Sequence, residues 1–272
     1  MSWRVMLAAA GRCARTLSRY PLTAVNLIVL MPVYQLVLPA LLLGMSFAVG
    51  GRATGMARPT GSSDLLGWLL IGMAVSVVTV GVVTTTSGTI ALDRIQGSFE
   101  YDWSASPSRV ALIAGIAAAG GTLAVGAVLV MSAAGLMLGA SFRAGLVLSV
   151  PIAAAALPGI MGLAFLTAGL VLRYRRVMAV IETFGYVIVV VSGAAIPLQV
   201  LPPVIRYVAY ILPNTWAIDL ARHAAIASAT ITAPGLEFFM LGATSLLFAA
   251  AGLAYFRRIE RRVTSDGSVG YG

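Results

Sequence analysis

The sequence predicts an all-α polytopic membrane protein with six transmembrane helices, and three observations lead there. First, six windows contain no Asp, Glu, Lys or Arg: those between Arg19 and Arg52, Asp64 and Asp93, Arg109 and Arg143, Arg143 and Arg173, Glu182 and Arg206, and Glu237 and Arg257. They hold 32, 28, 33, 29, 23 and 19 residues, against the roughly 20 apolar residues a helix needs to cross about 30 Å of hydrocarbon. Second, 60% of the 272 residues are hydrophobic and 10% are charged, so six spans leave nothing for a soluble domain and residues 1–272 read as a single transmembrane domain. Third, all 18 basic residues are Arg, and they are unevenly placed. With the N-terminus inside, Arg4, Arg12, Arg15, Arg19, Arg94, Arg109, Arg173, Arg175, Arg176, Arg257, Arg258, Arg261 and Arg262 face the cytoplasm, and only Arg52, Arg58, Arg143, Arg206 and Arg222 lie outside. Cytoplasmic flanks are enriched in basic residues, so an N-in, C-in topology is expected.

The same composition excludes several functions. A P-loop needs a Lys to reach the β and γ phosphates, and a chain without Lys cannot be its own ATPase. The net charge of +9 follows the membrane asymmetry and gives no reason to expect a nucleic-acid partner. Cys13 is the one cysteine and His223 the one histidine, so there is no disulfide framework, no CxxC pair and no metal set. Arg without Lys, beside abundant Ala, Gly and Val, points to a GC-rich bacterial genome and hence to a bacterial plasma membrane.

Taken in order, residues 1–20 place Arg4, Arg12, Arg15 and Arg19 on one narrow helical face with Trp3, Met6, Ala10, Cys13 and Leu17 opposite, the pattern of an interfacial amphipathic helix with its Arg side toward lipid phosphates. Pro21 ends it. The first span carries Pro32 and Pro39 on one face, with Asn26 and Gln35 within it. Residues Gly50 to Ser63 read as an outer loop. The second span ends in Thr84, Thr85, Thr86, Ser87 and Thr89, hydroxyls expected to bond back to the preceding turn; Asn26, Gln35 and Thr85 are candidates for lining a pathway. Asp93 to Arg109 forms a cytoplasmic loop, residues 93–108, in which Gly97 allows a tight turn, Ser98 caps a short helix, Glu100 suits its N-terminus, and Ser106 with Pro107 starts the third span. That span contains Gly135-x-x-x-Gly139, a spacing that permits close helix approach. A tight outer turn at Ser141 to Ala144 follows, then a fourth span with Pro151 and Pro158. Glu182 enters the fifth span close to the Arg173, Arg175 and Arg176 cluster, which favours an ion-pair partner or a snorkelling position. Residues 196–225 are apolar yet broken by prolines: Pro202 and Pro203 start one short helix with Val204, Val208 and Ile211 on a face, while Pro213 and Asn214 stop it and cap the next, where Asp219, Arg222 and His223 are positioned for a salt-bridged face. Such an element dips into the outer leaflet only if protein or a wet cavity satisfies its backbone. Residues 257–272 form a cytoplasmic tail.

The loop residues Asp93, Arg94, Gly97, Ser98, Glu100, Ser106, Pro107 and Arg109 resemble the permease subunits of type-2 ABC exporters of the daunorubicin-resistance and multidrug kind, whose loop reads E-R-E-x-G-[ST]-x-E, an apolar stretch, then S-P and a basic residue. Asp102 and Trp103 depart from that apolar stretch. A second stretch, Ser192 to Arg222, is similar to the family's S-G-x-x-x-P-x-x-x-L-P followed by L-P and a distant Arg. The resemblance implies that the eight loop residues form a coupling surface for a separate ABC ATPase subunit that carries the ATP and Mg²⁺. It implies that two permeases, identical or paralogous, pair around a pathway through the lipid bilayer. It also implies that Pro197, Leu201, Pro202, Pro213, Asp219 and Arg222 belong to an external gate. The expected function is export of a hydrophobic or amphiphilic cargo, such as a drug, lipid or lipid-linked glycan. The alternative is a secondary transporter, which would need charged relays or broken helices at the bilayer midplane, or another multi-span membrane protein without an ATPase partner. Catalysis within this chain is not expected, since one His and one Cys supply no nucleophile and base pair.

Overall fold

Every backbone polar group in lipid must be satisfied within its own segment or by protein, and the described residues accordingly form helices, with no strand among them. The computed structural model describes residues 2–19, 21–47, 64–140, 149–174 and 177–265. The expected outer loop Gly50 to Ser63, the turn Ser141 to Ala144, Arg175, Arg176 and the end of the tail fall outside these ranges. In chain order the helices are α1 (Ser2–Arg19), α2 (Pro21–Val25), a π-helical turn (Asn26–Leu30), α3 (Met31–Phe47), α4 (Leu65–Ile95), α5 (Phe99–Ala105) and α6 (Arg109–Met137). They continue with α7 (Ser149–Arg173), α8 (Met178–Val191), a 3₁₀ turn (Leu198–Val200), α9 (Pro203–Ile211), α10 (Pro213–Ile226) and α11 (Pro234–Ser265).

Four of these, α4, α6, α7 and α11, are long and apolar enough to cross a membrane, and together with the shorter apolar helices they make a multi-pass membrane protein. The other two expected spans are shorter or interrupted. In the first, the π turn stands directly before Pro32. A proline ring collides with the carbonyl four residues back, and a widened turn relieves that contact. In the fifth, α8 has 14 residues, roughly 21 Å at 1.5 Å per residue. It stops there because Gly193 takes φ +79° and Ala194 N–H turns back to Val189 O at 3.2 Å, an end that glycine makes without a Cβ penalty.

The bundle is drawn together at two glycines absent from the expected motif. A Cβ on Gly162 of α7 would strike the Phe248 carbonyl of α11, and a Cβ on Gly252 of α11 would strike the Gly162 carbonyl, so these two helices cross backbone to backbone. The Gly135 and Gly139 pair does less than its spacing promised: Gly135 makes room for Leu70 of α4, whereas Gly139 lies beyond α6 at φ +95° and ends the helix. The apolar core then divides by depth. One cluster, with Ile90, Phe99, Trp103, Ile113, Phe165 and Phe256, lies at the Arg-rich end, and another, with Leu36, Trp68, Leu69, Met131 and Ala194, lies at the opposite end.

Helix α1 lies against the start of α6, where Gly115 has no room for a Cβ beside Met6 O. Ala9 and Cys13 are buried while Trp3 and Leu7 stay exposed, as an interfacial helix requires. Burial pushes the Cys13 thiol above its usual range. In the hydroxyl run of α4, Thr84 donates to Val80 O at 2.8 Å and Thr86 to Val82 O at 2.7 Å as expected, whereas the buried Ser87 hydroxyl has no hydrogen-bond partner among the described residues.

Candidate functional site

Two irregular regions sit at opposite ends of the bundle. At the Arg-rich end, α4 runs out at Ile95 and Gly97 reverses the chain at φ +72°, a conformation that favours glycine. Helix α5 follows with Glu100 and Asp102 in its first turn. Phe99 and Trp103, one turn apart, are buried with ring centroids 5.2 Å apart, and Trp103 also meets the edge of Phe256 at 6.4 Å. On the other side Glu100, Tyr101 and Ser104 are exposed, Tyr101 to 77%. Helix α5 is thus tethered by one face and bare on the other.

Three arginines tie the helices of this end together, two of them, Arg12 and Arg109, touching α5 itself. Arg12 of α1 reaches Asp93 at the end of α4 at 2.7 Å and Asp102 of α5 with its other nitrogen. Asp102, which departs from the family pattern, therefore has a partner on α1, and Arg12 is turned into the protein and away from lipid phosphate. Arg94 donates to the last carbonyls of α7, Val171 O at 2.6 Å and Leu172 O at 3.2 Å, a cation at a helix C-terminus. Arg109 lies over the Trp103 ring at 4.9 Å and pairs with Glu260 of α11 at 3.5 Å.

Capping differs from expectation at both edges of α5. Ser98 occupies the N-cap position without a side-chain cap and instead donates to Asp93 O at 3.4 Å. Ser106 ends α5 rather than starting the next helix; Ser108 caps α6, accepting from Ala111 N–H at 3.3 Å, and Pro107 is exposed between them. Ser106 and Ser108 are both in the extended conformation, and the fold decides between them by bringing only the Ser108 hydroxyl to the N–H three residues on, as a cap requires.

At the opposite end α10 packs on α4, α7 and α11, and α9 packs on α8. Pro197, Leu201 and Pro213 are buried, and Pro202 is exposed at the start of α9. Val204, Tyr207, Val208 and Ile211 form an exposed apolar face. Asn214 does not cap α10. It is buried, accepts from Thr79 Oγ1 at 2.8 Å, and its amide donates to Ser76 Oγ at 3.3 Å and Ser192 Oγ at 3.1 Å. Arg206 donates to Leu198, Gln199 and Leu201 carbonyls, holding the 3₁₀ turn.

Arg222 is the centre of this region, and it is not a member of a salt-bridged face: no Asp219–Arg222 ion pair forms among the described residues. It is 4% exposed, stacks 3.4 Å from the Trp68 ring centroid and donates to Trp68 O at 3.0 Å, Gly193 O at 3.0 Å and Ala194 O at 2.8 Å. Gly72 must be glycine here, since a Cβ would meet both the Arg222 guanidinium and the Ala194 carbonyl. Asp219 turns away to accept from Ile231 N–H at 2.9 Å, while the wholly buried Glu237 accepts from Thr232 N–H at 2.7 Å. His223 Nδ1 lies 2.9 Å from Ser228 O. Glu182 is exposed on α8 with no ion pair among the described residues.

A family model described as ABC-2 type transporter matches residues 15–226, from within α1 to the end of α10. The chain belongs to the ABC-2 type transporter family. Comparison with curated proteins gives no match, so the family model carries the assignment. The match includes both irregular regions, and membership makes the chain a transmembrane permease of an ABC transporter. Helix α11, beyond the match, completes the packing around α7. The candidate pathway residues Asn26, Gln35 and Thr85 are spread out in the bundle: Asn26 is exposed in the π turn, and Gln35 and Thr85 are half-buried on α3 and α4. The residues sequence reasoning missed are Arg12, Asn214 and Gly72; Arg12 and Asn214 were legible as polar groups, but only tertiary contact distinguishes their partners.

Proposed function

We propose that the chain is the permease subunit of an ATP-driven exporter in a bacterial plasma membrane, with six spans and both termini in the cytoplasm. A separate ABC ATPase subunit binds ATP and Mg²⁺, and a second permease, identical or paralogous, completes the pathway. The cargo is hydrophobic or amphiphilic. The observation that carries this reading is the geometry of α5: Phe99 and Trp103 fix it to the bundle while Glu100, Tyr101 and Ser104 are exposed. A short helix held firmly on one side and bare on the other transmits displacement from a docked partner to the helices at its ends. Here those are α4 and α6, with α1 and α7 attached through Arg12 and Arg94.

In this reading Asp93, Arg94 and Arg109 brace the handle, Gly97, Ser98, Ser106 and Pro107 shape it, and Glu100 meets the ATPase. The Arg222 region serves as the external gate. Glu100→Arg is expected to reduce co-purification of the ATPase subunit and cargo transport by roughly tenfold or more, with insertion and thermal stability of the permease unchanged. Undiminished assembly and transport in that variant would remove the coupling assignment.

A further inference from the structure

Beside Arg109, the start of α6 and the end of α11 flank an open, solvent-facing cavity of about 500 Å³ lined by Arg109, Arg257, Glu260, Arg261, Thr264 and Ser265. Three guanidiniums face one carboxylate. That carboxylate, Glu260, is already paired with Arg109 at 3.5 Å, and Arg109 also donates to Thr264 Oγ1 at 3.1 Å. Arg257 and Arg261 are exposed, stand one helical turn apart, and pair with no carboxylate among the described residues. The cavity therefore offers two uncommitted cationic forks.

Depth decides what reaches them. The charge-free window of α11 ends at Phe256, so Arg257 and Arg261 follow within roughly 8 Å along the axis at 1.5 Å per residue. The polar headgroup layer outside the hydrocarbon is itself roughly 5 to 8 Å thick. Both guanidiniums thus lie at the level of lipid phosphates, and guanidinium binds phosphate oxygens through paired, charge-assisted hydrogen bonds.

We propose that this cavity binds the phosphate of an anionic phospholipid in the leaflet at the Arg-rich end, with Arg257 and Arg261 as its principal ligands. The bound phosphate adds negative charge beside Arg109, whose guanidinium covers Trp103 of α5, so lipid charge bears on the loop helix. The inference rests on the depth of α11 and the lining of the cavity, and it does not require the transport reading.

The test is native mass spectrometry of the full-length chain carrying phosphatidylglycerol or phosphatidylcholine, with inorganic phosphate as a competitor. Retention of phosphatidylglycerol over phosphatidylcholine is expected. The double variant Arg257→Gln with Arg261→Gln should lose roughly tenfold of that preference, and Arg261→Gln alone part of it. A control double variant, Arg258→Gln with Arg262→Gln, removes the same charge from exposed residues of α11 that do not line the cavity and should keep the preference. Equal loss in both doubles, or no lipid preference in the parent, overturns the proposal. So does displacement of the lipid by millimolar inorganic phosphate, which makes free phosphate the ligand. A lining double variant that retains the full lipid preference also overturns it.

Discussion

At the Arg-rich end, Arg12 joins α1 to Asp93 and Asp102 through side chains that are up to a third exposed. At the opposite end Arg222, 4% exposed, forms no ion pair among the described residues and gives its donors to three backbone carbonyls. The difference follows from solvent. Charges near water lose little on separation and re-form in a new geometry, as the proposed coupling role would require. A guanidinium buried against carbonyls that no water can reach is fixed, because releasing it strands both the cation and the acceptors. The broken segment after α8 needs that fixity: its turns leave carbonyls outside any helical ladder, and Arg206 and Arg222 supply protein donors to them.

The contrast breaks most severely at Arg222. Arg222→Met should lose about 3 to 5 kcal/mol and most folded protein, read by fluorescence-detected size exclusion and thermal unfolding. Arg222→Lys should not rescue it, since one ammonium cannot serve three diverging carbonyls and the Trp68 face together; a stable lysine variant would show that charge alone matters there. Next in size is Gly72→Val, whose new side chain would occupy the space of the guanidinium and the Ala194 carbonyl; about 1 to 3 kcal/mol of destabilisation is expected, as for overpacking. A thermally silent Gly72→Val would deny the close approach.

The smallest stability effect belongs to Arg12. Arg12→Gln should cost about 1 kcal/mol, and a double-mutant cycle with Asp102→Asn should give a coupling energy that shrinks as salt is raised toward 1 M, where screening acts over roughly 3 Å. The Arg222 contacts should hardly respond to the same salt. Equal salt sensitivity at both ends would erase the distinction between an adjustable and a fixed support.

The charge-free windows, the Arg asymmetry and the turn at Gly97 were legible because each is a local property: hydrocarbon excludes charge over consecutive residues, and a left-handed φ falls to glycine wherever it occurs. The breaks at Pro202 and Pro213 were legible for the same reason, since a ring without an N–H interrupts any helix. Partners were not local. Asp219, Arg222 and His223 are placed for mutual contact along a helix, yet Arg222 found carbonyls 28 to 154 residues away in sequence, Asp219 found the Ile231 amide, and Asn214 left its cap for Ser76, Thr79 and Ser192. The Gly162 and Gly252 crossing, likewise, has no signature in a chain with 29 glycines.

By itself, then, the sequence determined where the chain can lie in a bilayer, because transfer of charge and polar backbone into hydrocarbon is costly residue by residue. The tertiary structure alone decided which polar groups meet, because in a dry interior each buried donor takes the acceptor that packing brings within reach, and sequence spacing does not say which one that is.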